Sequence, residues 1–195
     1  EETCRLIANA HMIEPPLDLT VAADPDMWAG RLGAEVLATG SLRLVRDALA
    51  KQGGVPSLPG FDAGAWWIQD AAAAIPARLL GDIAGKSVID LCAAPGGKTA
   101  QLVAAGAVVI AVDRSPKRLE RLRQNLQRLN LSAETIVADA EQWRPAQPVD
   151  AVLLDAPCTA TGTVRRHPDI PYLKTPADVI DLGRPQAALL TAAFQ

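Results

Sequence analysis

The spacing of apolar residues changes character near residue 86. From there short β-branched runs alternate with amphipathic stretches. Ser87-Val88-Ile89-Asp90-Leu91 is a compact run that opens into Gly-rich sequence, as a buried strand does. Gly97 to Ala105 is predicted helical, and Val108 to Asp113 a second strand. Between Pro116 and Leu129 the leucines Leu119, Leu122, Leu126 and Leu129 recur at three- and four-residue steps, which puts them on one face of a helix. Thr135 to Asp139 and Val149 to Asp155 are the third and fourth strands. Strands and helices alternating through short connections predict an α/β fold with a parallel, doubly wound sheet. Such sheets take their ligands beyond the carboxyl ends of the strands. Here each strand ends at or beside an acid: Asp90, Asp113, Asp139, Asp155.

Residues 1–58 lack this alternation. Two proline-bearing pieces, at Pro15-Pro16 and from Pro56 to Pro59, bracket a stretch of mixed helical periodicity from Trp28 to Lys51. They are read as a small α+β subdomain, joined by a linker at Val55 to Gly60 to the main domain, 59–195.

The net charge of −3 offers no global attraction to a polyanion, so nucleic-acid contact must come from local basic clusters. Three widely spaced cysteines (Cys4, Cys92, Cys158), with no CxxC pair, argue against a disulfide framework and a metal site, and suit a reducing cytoplasm. The longest apolar run, Leu102 to Val112, is far short of the ~20 residues of a membrane span, so no membrane partner is expected. The chain opens Glu1-Glu2-Thr3-Cys4 and closes in what reads as an unfinished helix, and both ends are expected to be cut.

The stretch Asp90-Leu91-Cys92-Ala93-Ala94-Pro95-Gly96-Gly97-Lys98-Thr99 follows the first strand. Its glycines and small residues let backbone approach a ligand at a helix N-terminus. Three readings compete: a phosphate-binding loop, an ordinary Gly-rich turn, and a nucleoside loop. The first needs a glycine where Cys92 stands. The third gains from Asp113, placed to accept from both ribose hydroxyls, and from Asp139, within reach of an adenine amino group. After the fourth strand comes Asp155-Ala156-Pro157-Cys158-Thr159-Ala160-Thr161-Gly162-Thr163-Val164-Arg165-Arg166-His167-Pro168-Asp169. An acid and a thiol flank a Pro-stiffened turn there. Arg165, Arg166 and His167 are either phosphate ligands or a solvated basic turn. The basic residues from Arg114 to Arg128 are read mostly as a solvated face opposite the leucine stripe.

These two motifs, with Gly64-Ala65-Trp66-Trp67-Ile68-Gln69-Asp70, resemble the RNA (cytosine-5) methyltransferases, in particular the bacterial branch acting on small-subunit ribosomal RNA. The resemblance implies a Rossmann-like methyltransferase fold and S-adenosyl-L-methionine as cofactor, contacted by Cys92, Ala93, Ala94, Pro95, Gly96, Gly97, Lys98, Asp113, Arg118, Asp139 and Asp155. It implies an RNA substrate, a cytoplasmic site of action, a monomer at full length, and no metal. Asp155 is expected to assist at ring nitrogen-3 of cytosine, and Cys158 to help release the product. The attacking cysteine of that family lies on a later strand, and no cysteine follows Cys158 here. The chain by itself is therefore expected to be inactive and, with its fourth strand uncovered, prone to associate. The rival expectation is a non-catalytic module that binds S-adenosylmethionine or RNA.

Overall fold

The computed structural model describes residues 1–13, 15–44 and 53–195. Part of the Trp28–Lys51 stretch, from 45 onward, lies outside the described residues. After an exposed helix α1 (Glu2–Met12) the chain builds an antiparallel sheet from β1 (Leu17–Val21), β2 (Glu35–Val36), β3 (Leu42–Leu44) and β4 (Trp66–Ile68), in the order β2-β3-β1-β4. Helix α2 (Pro25–Leu32) packs on it, and Leu19, Leu32, Leu42, Leu44, Leu58 and Trp66 form their shared core. Two details differ from the sequence reading. Leu58, inside the expected linker, is buried in that core, so the segment is anchored and not loose. The sheet also takes β4 from beyond residue 58.

Chain continuity carries β4 straight into α3 (Ala71–Arg78) and then into a parallel sheet: β5 (Ser87–Leu91), α4 (Gly97–Ala104), β6 (Val108–Asp113), α5 (Pro116–Arg128), β7 (Glu134–Val137) and β8 (Ala151–Leu154). Its order is β7-β6-β5-β8, so β5 is central and β8 an edge. Alternation along β5 sends Val88 and Asp90 toward α3 and α4, while Ile89 and Leu91 face the final helix, α7 (Pro176–Ala193). A short helix α6 (Ile170–Leu173) precedes α7. Helix α7 begins at a capping box, with Thr175 Oγ1 accepting from the Asp178 N–H and Asp178 accepting from the Thr175 N–H at 2.7 Å. It lays Leu189 and Ala193 beside Val152 and Leu154. The expected bare apolar edge is thus half-covered on one face.

Leu119, Leu122 and Leu126 of α5 are buried as their spacing predicts, each stabilising by roughly 1.5–3 kcal/mol. Arg128 departs from the solvated-face reading. Its guanidinium lies 4.3 Å from the centre of the Phe61 ring and donates to the carbonyls of Phe61 (2.8 Å) and Trp66 (3.1 Å), tying α5 to the antiparallel sheet. Gly64 permits the approach: a Cβ there would stand 2.2 Å from the Arg128 carbonyl oxygen.

Candidate functional site

The parallel register aligns the carboxyl ends. Leu91 pairs with Val112 on one side and Leu154 on the other, so Cys92, Asp113 and Asp155 emerge side by side from β5, β6 and β8. The loop from Cys92 to Gly97 turns between them. One face of α5 supports it: Arg118 donates to the Ala94 carbonyl, Asn125 to the Pro95 carbonyl at 2.9 Å, and Leu122 packs under Gly96. Gly96 has φ +100°, and a Cβ there would lie 2.7 Å from Leu122 Cγ, so any other residue at this turn is strained and must shift the Leu122 side chain.

Asp113 is buried, with 2% exposure, and its carboxylate is shared. Oδ2 accepts from the Ala94 N–H at 3.2 Å and lies 3.4 Å from Arg118; Oδ1 accepts from the Ser115 N–H at 2.9 Å. It thereby holds the loop while lining a cleft of about 650 Å³, open mouth included. Asp139 lines the same cleft, two residues past β7, and accepts from the Glu141 N–H at 3.0 Å. Cys92, Arg118 and Pro157 contribute further wall, and α7 adds the apolar surfaces of Leu182, Pro185 and Leu189. Carboxylates at one wall and an apolar slot at the other fit a nucleoside cofactor with ribose hydroxyls and an amino-bearing base.

A second cleft opens on the other side of the loop. Cys92, Ala93, Ala94, Pro95, Gly97 and Lys98 form one wall; Gln69, Asp70, Asp90, Asp155 and Arg166 complete it. Lys98 Nζ donates to Asp155 Oδ2 at 2.6 Å, which fixes the exposed carboxylate over the opening. Cys92 reaches both clefts, but burial and then the Asp113 carboxylate push its thiol up to about 11. It stays protonated at neutral pH and is no nucleophile. Cys158 is exposed, and its sulfur accepts from the Ala160 N–H at 3.3 Å within its own loop. Gln186 of α7 steadies that loop by donating to the Pro157 carbonyl at 2.7 Å.

The predicted residues do not all converge. Arg165, Arg166 and His167 are exposed; Arg165 and His167 stand outside the second cleft, while Arg166 lines it and is already ion-paired with Asp70. Several lining residues carried no role in the sequence reading: Gln69, Asp70 and the α7 face. Gln69 was legible as a polar residue after an aromatic pair. It accepts from Trp67 Nε1 (3.0 Å) and donates to Gln101 Oε1 (3.1 Å), bracing α4 below Lys98. The α7 residues gave no local signal, because only packing brings them over the cleft. Among the described residues no group of three or more His, Cys, Asp or Glu is arranged to hold a metal ion, and no helix is long and apolar enough to cross a membrane.

Fold and clefts together define the Rossmann-like methyltransferase class, whose cofactor is S-adenosylmethionine. The sequence from residue 77 to 195 matches the model of the family described as 16S rRNA methyltransferase RsmB/F, and the chain belongs to that family. It is 47% identical over 204 residues to the ribosomal RNA small subunit methyltransferase B of Pseudomonas syringae pv. tomato, covering 99% of this chain and 46% of the relative. It is 45% identical over 146 residues to the protein of that name from Vibrio cholerae, covering 72% of this chain and 34% of the relative. The chain thus spans between a third and a half of these relatives' length. Among solved structures, a methyltransferase homolog protein from Pyrococcus horikoshii superposes with a TM-score of 0.76 at 26% identity, over 95% of this chain and 62% of the other. NSun6 from the same organism, solved with SFG, gives a TM-score of 0.64 at 32% identity, over 72% of this chain and 37% of the other.

Proposed function

We propose that this chain is the cofactor-binding part of an S-adenosylmethionine-dependent enzyme that methylates carbon-5 of cytosine in ribosomal RNA. One observation carries the reading. Two clefts back onto a single loop, 92–97, with a buried carboxylate (Asp113) on one side and a lysine-held carboxylate (Asp155) on the other. A methyl donor and a methyl acceptor need such adjoining compartments.

In the first cleft Asp113 accepts from the ribose hydroxyls, Asp139 from the base amino group, and Arg118 keeps the loop carbonyl of Ala94 turned inward. The loop residues Cys92 to Lys98, with Asp155, border the rest of the cofactor. When bound, S-adenosylmethionine supplies an electrophilic methyl group on its sulfonium sulfur. The remaining work is nucleophilic, because carbon-5 of cytosine attacks poorly until a thiolate has added at carbon-6. Asp155 serves that addition by holding a proton at ring nitrogen-3, and Lys98 holds Asp155 in place. Cys158, exposed in the loop that follows it, assists the final elimination, in which the carbon-5 proton and the attached thiolate leave together. The attacking thiol belongs to another segment of the full-length enzyme. Arg165, Arg166 and His167 contact the RNA backbone. The antiparallel subdomain extends through β4, so the subdomains divide near residue 70 rather than at 58/59; the enzyme acts in the cytoplasm, and the full-length form is a monomer.

Asp113→Ala tests the cofactor assignment. Losing hydrogen bonds to a charged group costs about 1.5–3 kcal/mol, so cofactor affinity should fall roughly ten- to hundredfold by calorimetry. Wild-type affinity in the variant would remove Asp113 from the site.

A further inference from the structure

A third cavity, of about 570 Å³ with its open mouth, lies between the antiparallel sheet and the 155–169 loop. Asp18, Arg43, Asp70, Thr163, Arg165 and Arg166 line it, three guanidiniums against two carboxylates. The arginines are held in different ways. Arg43 is gripped bidentately by buried Asp18, at 2.7 and 2.8 Å, and Asp18 also accepts from the Ala71 N–H at 3.1 Å. Arg43 lines the cavity, and its Nη1 makes no hydrogen bond to a described residue. Arg166 pairs with Oδ2 of Asp70, whose Oδ1 caps α3 through the Ala72 N–H at 2.9 Å. Arg165 forms no ion pair with any described residue. Among the described lining residues guanidiniums outnumber carboxylates by one, and two of the three guanidiniums are already oriented.

A pre-set planar guanidinium matches the oxygens of a phosphodiester better than those of a small spherical anion. The cavity also adjoins the second cleft: Asp70 and Arg166 wall both. A strand that brings a base to Asp155 therefore runs its backbone along this wall. We propose that the cavity binds a backbone phosphodiester of the RNA through Arg43, Arg165 and Arg166, and that Asp70 is a built-in counter-ion which the phosphate displaces from Arg166. The proposal rests on the RNA reading above and adds Arg43 and Asp70 to it. Asp70 keeps Arg166 ordered when RNA is absent and lowers the affinity for any anion too weak to compete. The displaced carboxylate is still stabilised, because it continues to cap α3.

The test is fluorescence anisotropy of a short single-stranded RNA with the 195-residue chain across about 50–200 mM salt, beside cofactor calorimetry. Asp70→Asn keeps the helix cap and removes the competing charge, so RNA should bind about threefold tighter at the lowest salt. Arg165→Gln should weaken binding and shallow the slope of log affinity against log salt by about 0.7, the single-strand value for one phosphate. Arg43 cannot be removed alone without stranding buried Asp18, so the pair is changed together. Asp18→Asn with Arg43→Gln leaves net charge unaltered and should still shallow the slope by about the same amount. Cofactor affinity should hold in every variant. Unaltered RNA affinity in Asp70→Asn, or an unaltered slope in the Asp18→Asn, Arg43→Gln pair, would make these ion pairs purely structural, and an unaltered slope in Arg165→Gln would remove Arg165 from the phosphate site; either result overturns the proposal while leaving the RNA reading intact. A wild-type chain that bound cofactor but no RNA would overturn the site and the RNA contact together, and would leave the cofactor assignment standing.

Discussion

In the antiparallel sheet Asp18 sits on β1 with 2% exposure; in the parallel sheet Asp90 sits on β5 with none. For Asp18, burial alone would raise the pKa, but the Arg43 hydrogen bonds, the Ala71 N–H and the charges of Arg43 and Arg166 outweigh it and hold the carboxyl below its usual value. For Asp90, burial dominates. Among the described residues its carboxylate accepts only from the Thr99 hydroxyl, at 2.6 Å; Oδ1 has no partner there, and the carboxyl is pushed up to about 7. Lys98 pulls it down, but Asp155 and Asp113 push it up. One aspartate has been built into a clamp between sheet and helix. The other has been left under-satisfied at the floor of the second cleft, beside the groups assigned to chemistry. Of these two strand aspartates, the satisfied one serves the scaffold and the under-satisfied one lies at the site, while Asp113 is both partnered and part of the cofactor cleft.

Arg43→Ala should have the largest effect of any single change that tests this contrast. It strands a buried carboxylate and should cost about 3–5 kcal/mol, read as a fall in urea midpoint. A loss below about 1 kcal/mol would mean that Asp18 reaches water or another partner, and the scaffold half of the contrast would fail.

The pH dependence of the two acids should be opposite. Asp90 has a native pKa above the unfolded value of 3.8, so between 3.8 and about 7 the unfolded chain releases a proton that the native chain keeps. Its contribution to stability is present below 3.8 and is lost as pH rises toward 7. Asp18 is lowered, so its contribution is present above 3.8 and is lost as pH falls through its native pKa. Asp90→Asn should flatten the decline between about pH 4 and 7 by an amount on the order of 3 kcal/mol, since each tenfold difference in proton affinity between the two states is worth about 1.4 kcal/mol. Urea titrations across that range settle it, and parallel wild-type and variant slopes would show that Asp90 ionises alike in both states.

Thr99→Val sharpens the same point at smaller scale. It is nearly isosteric and removes the only hydrogen bond the Asp90 side chain makes to a described residue, so it should cost about 1–2 kcal/mol at about pH 5. A neutral outcome would mean that the hydroxyl contributes nothing to this carboxyl.

Much of the parallel half was legible. The leucine period of α5, the β-branched strands and the strand-end aspartates all depend on contacts close in sequence, and β5 to β8 form within a few residues of their expected bounds. The antiparallel half was harder to read. Its strands are two to five residues long, too short for an alternation to declare itself, and β4 joins them from across the expected boundary. Asp90 was visible as one of four strand-end acids, yet nothing local separates it from Asp113. Which acid is satisfied depends on α4 delivering Thr99 and on the loop delivering the Ala94 N–H.

The order of residues was enough to set the periods, and so the elements, the loop at 92–97 and the family it resembles. Local propensity and the need to bury one face act over three or four residues and require no knowledge of the rest. Partnership came from packing: Asp18 with Arg43 across two strands, Lys98 with Asp155, Asp70 with Arg166 from 96 residues away, and α7 laid over the cofactor cleft. Electrostatic energy and burial depend on which groups meet in space, and chain spacing does not encode that meeting.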